Sequence, residues 1–538
     1  MLKSPTMFDG YEQERYLDVD ISQLTLIVPS YLVNTYKLDD YWYNAKDIQG
    51  FSTADVNAWT IYRPLVLGAR DRFEGCPDMS LRGGGSLKVN GDAAMTFGKF
   101  HTETNWGDLD YTTTMLSNCD NITIQGTYHH GFYASANSWY FISLPFDITV
   151  GDIELQEGAQ KAVRYYDGAE RAANGAGNSW KDYADDDVIP AGTGFILQTS
   201  KTGWLRFYAM ENESKQYVVA NKEFGKQLAE NPSETAANSG WNLVGNPYQT
   251  FYNINHLNFT APITVWNISG KRYDAYSVID DEFVLTPNQA FFVQCPEEVS
   301  SISFPLEGRQ LTEEIVSAQV NARPTFGGEA SARRLVDLNL LSGEQSDRTR
   351  IVLNDEASAG YDLSCDASKF MSMDATVPQL YSLGADGTAY AINERPVADG
   401  RVKLGLYLPQ DGAYTLSLAR NQADEAWLKD LETGTQADLA AGDYHFTAEA
   451  GKLDGRFELL LRAEGTTAID EAVARTVVVK AVAGGVTVEN ATGLVRICTA
   501  GGELVHESRA DGDAVRVGLP SGLYLVQVNG RVEKVVVD

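Results

Sequence analysis

His129-His130 is the one histidine pair in the chain, and it lies beside Tyr128 and Tyr133. Two metal ligands sharing a face need spacing i, i+2 on a strand or i, i+4 on a helix, because adjacent strand side chains point to opposite faces. The pair is therefore expected to be polar surface at a loop, not a metal site. His101, His256, His445 and His506 lie far apart, and none sits in a nucleophile motif. Two acidic runs, Asp185-Asp186-Asp187 and Asp280-Asp281-Glu282, supply hard oxygen ligands of the kind calcium takes. Neither follows the calcium-loop pattern of alternating acids around a central glycine, so solvated turns are expected, with these six residues as the calcium candidates. The triglycine in LRGGGSLKVNG (81–91) lacks the Lys-Ser or Lys-Thr and the helix of a phosphate loop, and reads as a turn between strands. No metal and no cofactor are expected.

Aromatic residues are the remaining chemistry. Trp139, Tyr140, Tyr165, Tyr166, Trp180 and Trp204 are answered about 100 residues later by Trp241, Tyr248, Trp266, Tyr273 and Tyr276. Exposed rings stack on sugars, so Trp180, Trp204 and Tyr248 are the candidate ligand-binding residues. Positions shared between two copies usually build a common core, and Trp139 and Trp241 are expected there.

These residues must be positioned by sheets. Turn residues punctuate the chain almost every ten positions, and the runs between them are rich in Val, Ile, Leu, Tyr and Phe. Helix is expected only at 33–43, 221–229 and 424–430. The fold class is all-β and multi-domain: a duplicated β unit followed by two β-sandwich (Ig-like) domains. The duplication is explicit. SWYFISLPFDITVGDI (138–153) recurs in pattern as GWNLVGNPYQTFYNI (240–254), VRYYDGAER as VWNISGKRY, and VIPAGTGFILQT as VLTPNQAFFVQC. The expected division is 1–50, 51–137 (β-rich), 138–312 (the duplicated domain, units near 138–200 and 240–305), 332–463 (sandwich) and 466–538. Linkers are read at 313–331 and 465–472. In the last segment Asn529-Gly530 should close a hairpin that pairs Val528 with Arg531, Val526 with Glu533 and Tyr524 with Val535.

Composition bounds the rest. With 73 acidic against 43 basic residues among 538, a net charge of −30 opposes nucleic acid and anionic membranes. No run of about 18 apolar residues could span a membrane as a helix. The five cysteines (Cys76, Cys119, Cys295, Cys365, Cys498) form no CxxC; buried thiols are expected, with a Cys76–Cys119 bridge as the alternative.

TAID, GGVTVENATG, VRI, GGELV, VGLPSGLYLVQV and KVVV, in that order over 466–538, resemble the C-terminal sorting domain of proteins exported by the bacterial type IX secretion system (type A-like). Gly484, Gly485, Pro520, Gly522, Tyr524 and Lys534 are the matching sorting-motif residues. The resemblance implies recognition by the type IX machinery and delivery to the medium or the outer-membrane surface. LTLIVPSYLVNTYKLDDYWYNAKDI (24–48) resembles the last rung and exit segment of a bacterial leucine-rich-repeat surface antigen. Leu24, Leu26 and Val28 alternate as a strand that Pro29 stops, with Tyr36 and Trp42 on a short helix after it. One rung cannot bury its own face. The opening residues lack the apolar centre of a signal peptide, so the chain is expected to be the downstream part of a longer secreted precursor. The functional expectation is a non-enzymatic display or adhesion protein whose partners are the secretion machinery and a host protein or glycan. The alternatives are a carbohydrate-binding accessory protein and a hydrolase whose carboxylates assemble only in three dimensions.

Overall fold

Short apolar alternations build sheets in three distinct ways along this chain. The computed structural model describes residues 21–30, 33–38, 42–52, 57–67, 76–90, 95–105, 111–117, 122–210, 217–219, 223–296, 299–312, 333–396, 400–462, 478–482, 484–489, 492–501, 503–511, 514–528 and 531–537. Among these the chain is all-β, and its α-helices are α1 (Val33–Lys37) and α2 (Gly168–Asn174). The expected linkers, Cys119, and the Asn529-Gly530 turn lie outside the described residues.

The first architecture is a parallel solenoid. Strands β1 (Ala58–Ile61), β2 (Asp78–Leu81), β3 (Phe100–Thr104) and β4 (Tyr128–Ala134) stack in parallel, each directly on the last. Leu65–Leu67, Ser86–Val89 and Thr114–Ser117 form a second parallel stack, and Met95–Phe97 with Ile122–Ile124 a third. Parallel neighbours so close in sequence mean that the chain coils, each turn burying the apolar side of the one before. Met79, Leu81, Leu87, Val89, Phe97, Phe100 and Phe132 fill the inside. The triglycine segment is a turn between Asp78–Leu81 and Ser86–Val89, as expected. Upstream, Thr25–Pro29 pairs in parallel with Asp47–Phe51, and Leu26, Val28, Tyr36 and Trp42 share a small core.

The second architecture is the duplication. One unit holds β5 (Tyr140–Ile142), β6 (Lys161–Tyr166), β7 (Trp180–Asp182) and β8 (Phe195–Thr199), joined in the order β5-β8-β6-β7. After its last strand, β9 (Gly203–Tyr208) adds antiparallel to β4 and so extends the solenoid sheet. The second unit repeats the order exactly as a sheet, β10-β13-β11-β12, from β10 (Trp241–Gly245), β11 (Ile263–Asn267), β12 (Arg272–Tyr276) and β13 (Ala290–Gln294). The units meet about a pseudo-twofold: Ile142 bridges Gln289, and Val244, the equivalent of Ile142, bridges Thr193. Between them lies an aromatic layer of Phe141, Trp241, Trp266, Tyr273 and Phe292, closed by Phe370 from downstream. The core of the first unit is continuous with that of the solenoid, so no break in packing falls at residue 137.

The third architecture lies between Arg334 and Arg462. Its two layers belong to one continuous, eleven-stranded antiparallel-rich sheet that curls almost closed around Leu338, Leu340, Leu404, Tyr414, Leu416 and Phe457. The last described strands pair among themselves as two small sheets around Val486, Val495, Ile497 and Val526. Their final hairpin has the expected register, with Val528 opposite Arg531, Val526 opposite Glu533 and Tyr524 opposite Val535.

Two helix expectations fail. Within 221–229 the chain forms Phe224–Gln227, paired with Ser301–Phe304, and within 424–430 it forms Glu425–Asp430. In the latter, Ala426, Leu428 and Asp430 alternate inward, a period of two that the charged residues obscured. Helix α2 was not anticipated, although Asp167 caps it by accepting from the backbone N–H of Glu170 at 3.0 Å.

Candidate functional site

Alternation along β3, β4 and β9 sends Phe100, Thr102, Tyr128, His130, Phe132, Leu205 and Phe207 inward. The opposite face carries His101 and Glu103 from β3, His129, Gly131 and Tyr133 from β4, and Trp204, Arg206 and Tyr208 from β9. Register sets these side by side: His129 lies between His101 and Tyr208, Gly131 between Glu103 and Arg206, and Tyr133 opposite Trp204.

Contacts tie this face into one polar system. His101 Nε2 donates to Glu103 Oε1 at 2.8 Å, and Arg82 pairs with the same oxygen at 3.0 Å. The His101 and His129 rings lie 4.3 Å apart, and His129 stacks on Tyr208 at 5.3 Å. The Tyr208 hydroxyl donates to Glu154 Oε2 at 2.5 Å, while Arg206 donates to Glu154 Oε1. Gly131 is required here, since a Cβ on it would lie 2.8 Å from the His101 ring. The hydrogen bond from Tyr208 holds the Glu154 carboxyl below its ordinary range, with Arg206 adding to the effect. Each carboxylate is thus matched to one arginine, Glu103 to Arg82 and Glu154 to Arg206.

His129 and His130 are held neutral. Burial, then the neighbouring His101 and Arg206 charges, bring His129 down from 6.5 to about 4. Burial brings His130 to about 3. His130 faces inward, where it hydrogen-bonds Thr102 at 3.0 Å and Asn288 of the second unit at 3.1 Å. The pair does point to opposite faces, but it sits on a strand, and His130 is buried, not at a surface loop. The unfolded chain binds protons on these residues that the folded chain does not, so their contribution to stability is present above about pH 6.5 and is lost as pH falls toward 4. Thermal unfolding of His129→Gln is expected to fall less steeply than that of the unaltered protein between those pH values; parallel curves would refute the assignment.

The three ligand candidates separate. Trp180 sits in the aromatic layer, edge-on to Phe141 at 5.8 Å and to Phe292 at 5.9 Å, so it is a packing residue. Tyr248 is also structural: its hydroxyl donates to the Phe304 carbonyl at 2.6 Å and accepts from the Phe224 N–H. Trp204 is 39 % exposed, and its ring meets that of Tyr133, 46 % exposed, edge to face at 5.5 Å. Trp241 is buried, as expected, and Trp139 packs against the same layer.

Four of the six calcium candidates are engaged by the protein itself. Asp281 takes both terminal nitrogens of Arg350, at 2.7 and 2.9 Å, and Asp280 pairs with Arg333. Glu282 follows in the same loop. Asp187 accepts from the Ala184 N–H, Asp185 pairs with Lys161 at 3.3 Å, and Asp186 is exposed. A cavity of about 210 Å³ opens beside Trp266, Tyr276 and Phe283. Its carboxylate, Asp274, is already bound by Asn267 and Arg272.

Sequence reasoning missed the face because its members come from separate coils. His101 and His129 hold equivalent places in FHTET and YHHGF, and that internal likeness was the available signal. No helix among the described residues is long and apolar enough to cross a membrane. Residues 246–461 match a family model described only as a domain of unknown function, DUF8693. That match covers most of the second unit and the curled sheet and excludes the face built on β3, β4 and β9. No curated protein matches the chain.

Proposed function

We propose that this chain is a non-enzymatic protein of the bacterial exterior, in which β modules display a binding surface and the last 73 residues are a type IX sorting domain. The observation that carries the reading is the independence of the terminal module. Among the described residues its strands pair only with one another, and Val486, Val488, Val495, Ile497, Val526 and Val537 form a core of their own. A module read by export machinery must fold without the cargo, and this one has the means.

The motif residues have matching physical roles. The Tyr524 hydroxyl donates back to the Pro520 carbonyl at 3.0 Å, a tyrosine corner that fixes the turn entering Gly522–Val528. Gly485 packs against the Val517 carbonyl with no room for a side chain, and Gly484 turns the chain at φ 74°. Lys534 is exposed on the last strand, available to a receptor. At the other end, Thr25–Pro29 and Asp47–Phe51 pair in parallel about 22 residues apart, a spacing within the leucine-rich-repeat range. This supports the surface-antigen reading.

Deleting residues 466–538 from a version supplied with a signal peptide, in a bacterium that has the type IX system, is expected to leave the product in the periplasm. Undiminished surface delivery would overturn the reading.

A further inference from the structure

Trp204 and Tyr133 are large aromatic residues held in solvent by a rigid sheet. They are neighbours across β9 and β4, so their spacing does not depend on a loop. Two residues along β9, Arg206 and Glu154 form a fixed ion pair, both about half exposed at their side chains, with Tyr208 bracing the carboxylate from the far side. The face therefore presents an apolar ring and a guanidinium donor along the outermost strand of the sheet, and a carboxylate acceptor from Glu154, which is bridged to that strand at Arg206. Alternate residues on a strand are about 6.6 Å apart, so these groups lie within reach of a single extended ligand.

We propose that this edge binds a neutral polysaccharide, with the Tyr133–Trp204 pair taking the C–H face of one sugar ring and the Arg206–Glu154 pair serving hydroxyls of the next. A hydroxyl both donates and accepts, so an adjoining carboxylate and guanidinium satisfy it more fully than either alone. Anionic polymers are disfavoured because Arg206 and Arg82 are already matched by Glu154 and Glu103 within a chain of net charge −30. A second copy or another protein is disfavoured by area. Two rings flanked by charges are far from the roughly 800 Å² per partner, with an apolar centre, that a stable interface needs. The site lies on the solenoid edge and does not depend on how the chain is exported.

The test is electrophoresis of the intact chain through native gels containing a soluble β-glucan, a mannan, a galactan or, for contrast, alginate. Retardation by at least one of the three neutral polymers is expected. Trp204→Ala should weaken it about tenfold, equivalent to about 1.4 kcal/mol. Glu154→Gln should also weaken it, while Tyr165→Ala, an exposed aromatic elsewhere on β6, should leave it unchanged. Sedimentation and thermal unfolding of Trp204→Ala and Tyr165→Ala should match those of the unaltered protein, since both residues are partly exposed. Absence of retardation by any neutral polymer, retardation by alginate alone, equal retardation of Trp204→Ala, or a dimer that Trp204→Ala dissolves would each overturn the proposal.

Discussion

Arg350→Met is expected to destabilise the part of the protein built from the second unit and the curled sheet by about 3–5 kcal/mol. Arg350 lies on Gln345–Leu353, and its side chain has no exposure to solvent. Its guanidinium is shared between two carboxylates: Asp337 on the neighbouring strand, at 2.6 and 2.9 Å, and Asp281 from the second unit, at 2.7 and 2.9 Å. Both acids are themselves buried. Removing the cation leaves two carboxylates facing each other without solvent, and their repulsion and desolvation cost more than the lost hydrogen bonds alone. The effect should appear as a lower urea midpoint of that transition. A triple variant, Arg350→Met with Asp281→Leu and Asp337→Leu, removes the charges together and is expected to recover most of the loss. If the single variant unfolds at the same midpoint as the unaltered protein, the charges are not the tie between these parts. Further ties run beside it: Arg333 bridges Asp280 and Glu394, and Arg348 donates to the Ala275 carbonyl at 2.8 Å.

Phe292→Ala carries the second large effect, also about 3–5 kcal/mol, because truncating a buried phenylalanine loses transfer energy and leaves a cavity. Phe292 is fully buried on β13 at the centre of the pseudo-twofold. Its ring stacks on Phe370 at 4.6 Å and meets Tyr166 edge-on at 4.7 Å, so one side chain holds both units and the curled sheet together. Arg171 of α2 reinforces the same junction, its guanidinium lying 4.5 Å from the Trp241 ring and 4.4 Å from the Phe370 ring. Loss of the tertiary tryptophan signal at a lower temperature than in the unaltered protein is the expected readout, with Phe292→Leu falling between. A cost below about 1 kcal/mol for Phe292→Ala would mean that the units are not joined through this layer.

Local and repeated features were legible in the chain itself. Alternation gave the strands of the curled sheet, the matched segments gave the duplication though not the strand order its two sheets share, and β-rich runs around Asn-Gly gave the register of the last hairpin. What the chain did not reveal depends on partners distant in sequence. The solenoid was readable only as β-rich, because its coils differ in length and no fixed period marks the stacking of Phe100 on Tyr128. Trp180 looked available for a sugar because its neighbour Phe292 belongs to the other unit. The run holding Asp281 reads as a solvated turn because Arg350, the counter-charge with which Asp281 is buried, lies on a distant strand. Strand 425–430 was mistaken for helix because its inward residues include Asp430, a carboxylate held by Arg456 at 2.8 Å and not an apolar marker. Trp204 was named for the right property, its exposure, but its partners Tyr133, Arg206 and Glu154 emerged only from the register of β4 and β9.

The whole reading turns on whether residues 466–538 suffice as an address. Joined to the C-terminus of an unrelated periplasmic protein carrying a signal peptide, and expressed in a bacterium with a working type IX system, they should bring that protein to the cell surface or medium. Delivery should vanish when the system is disabled. Retention of the fusion in the periplasm, with the appended module folded, would contradict the account.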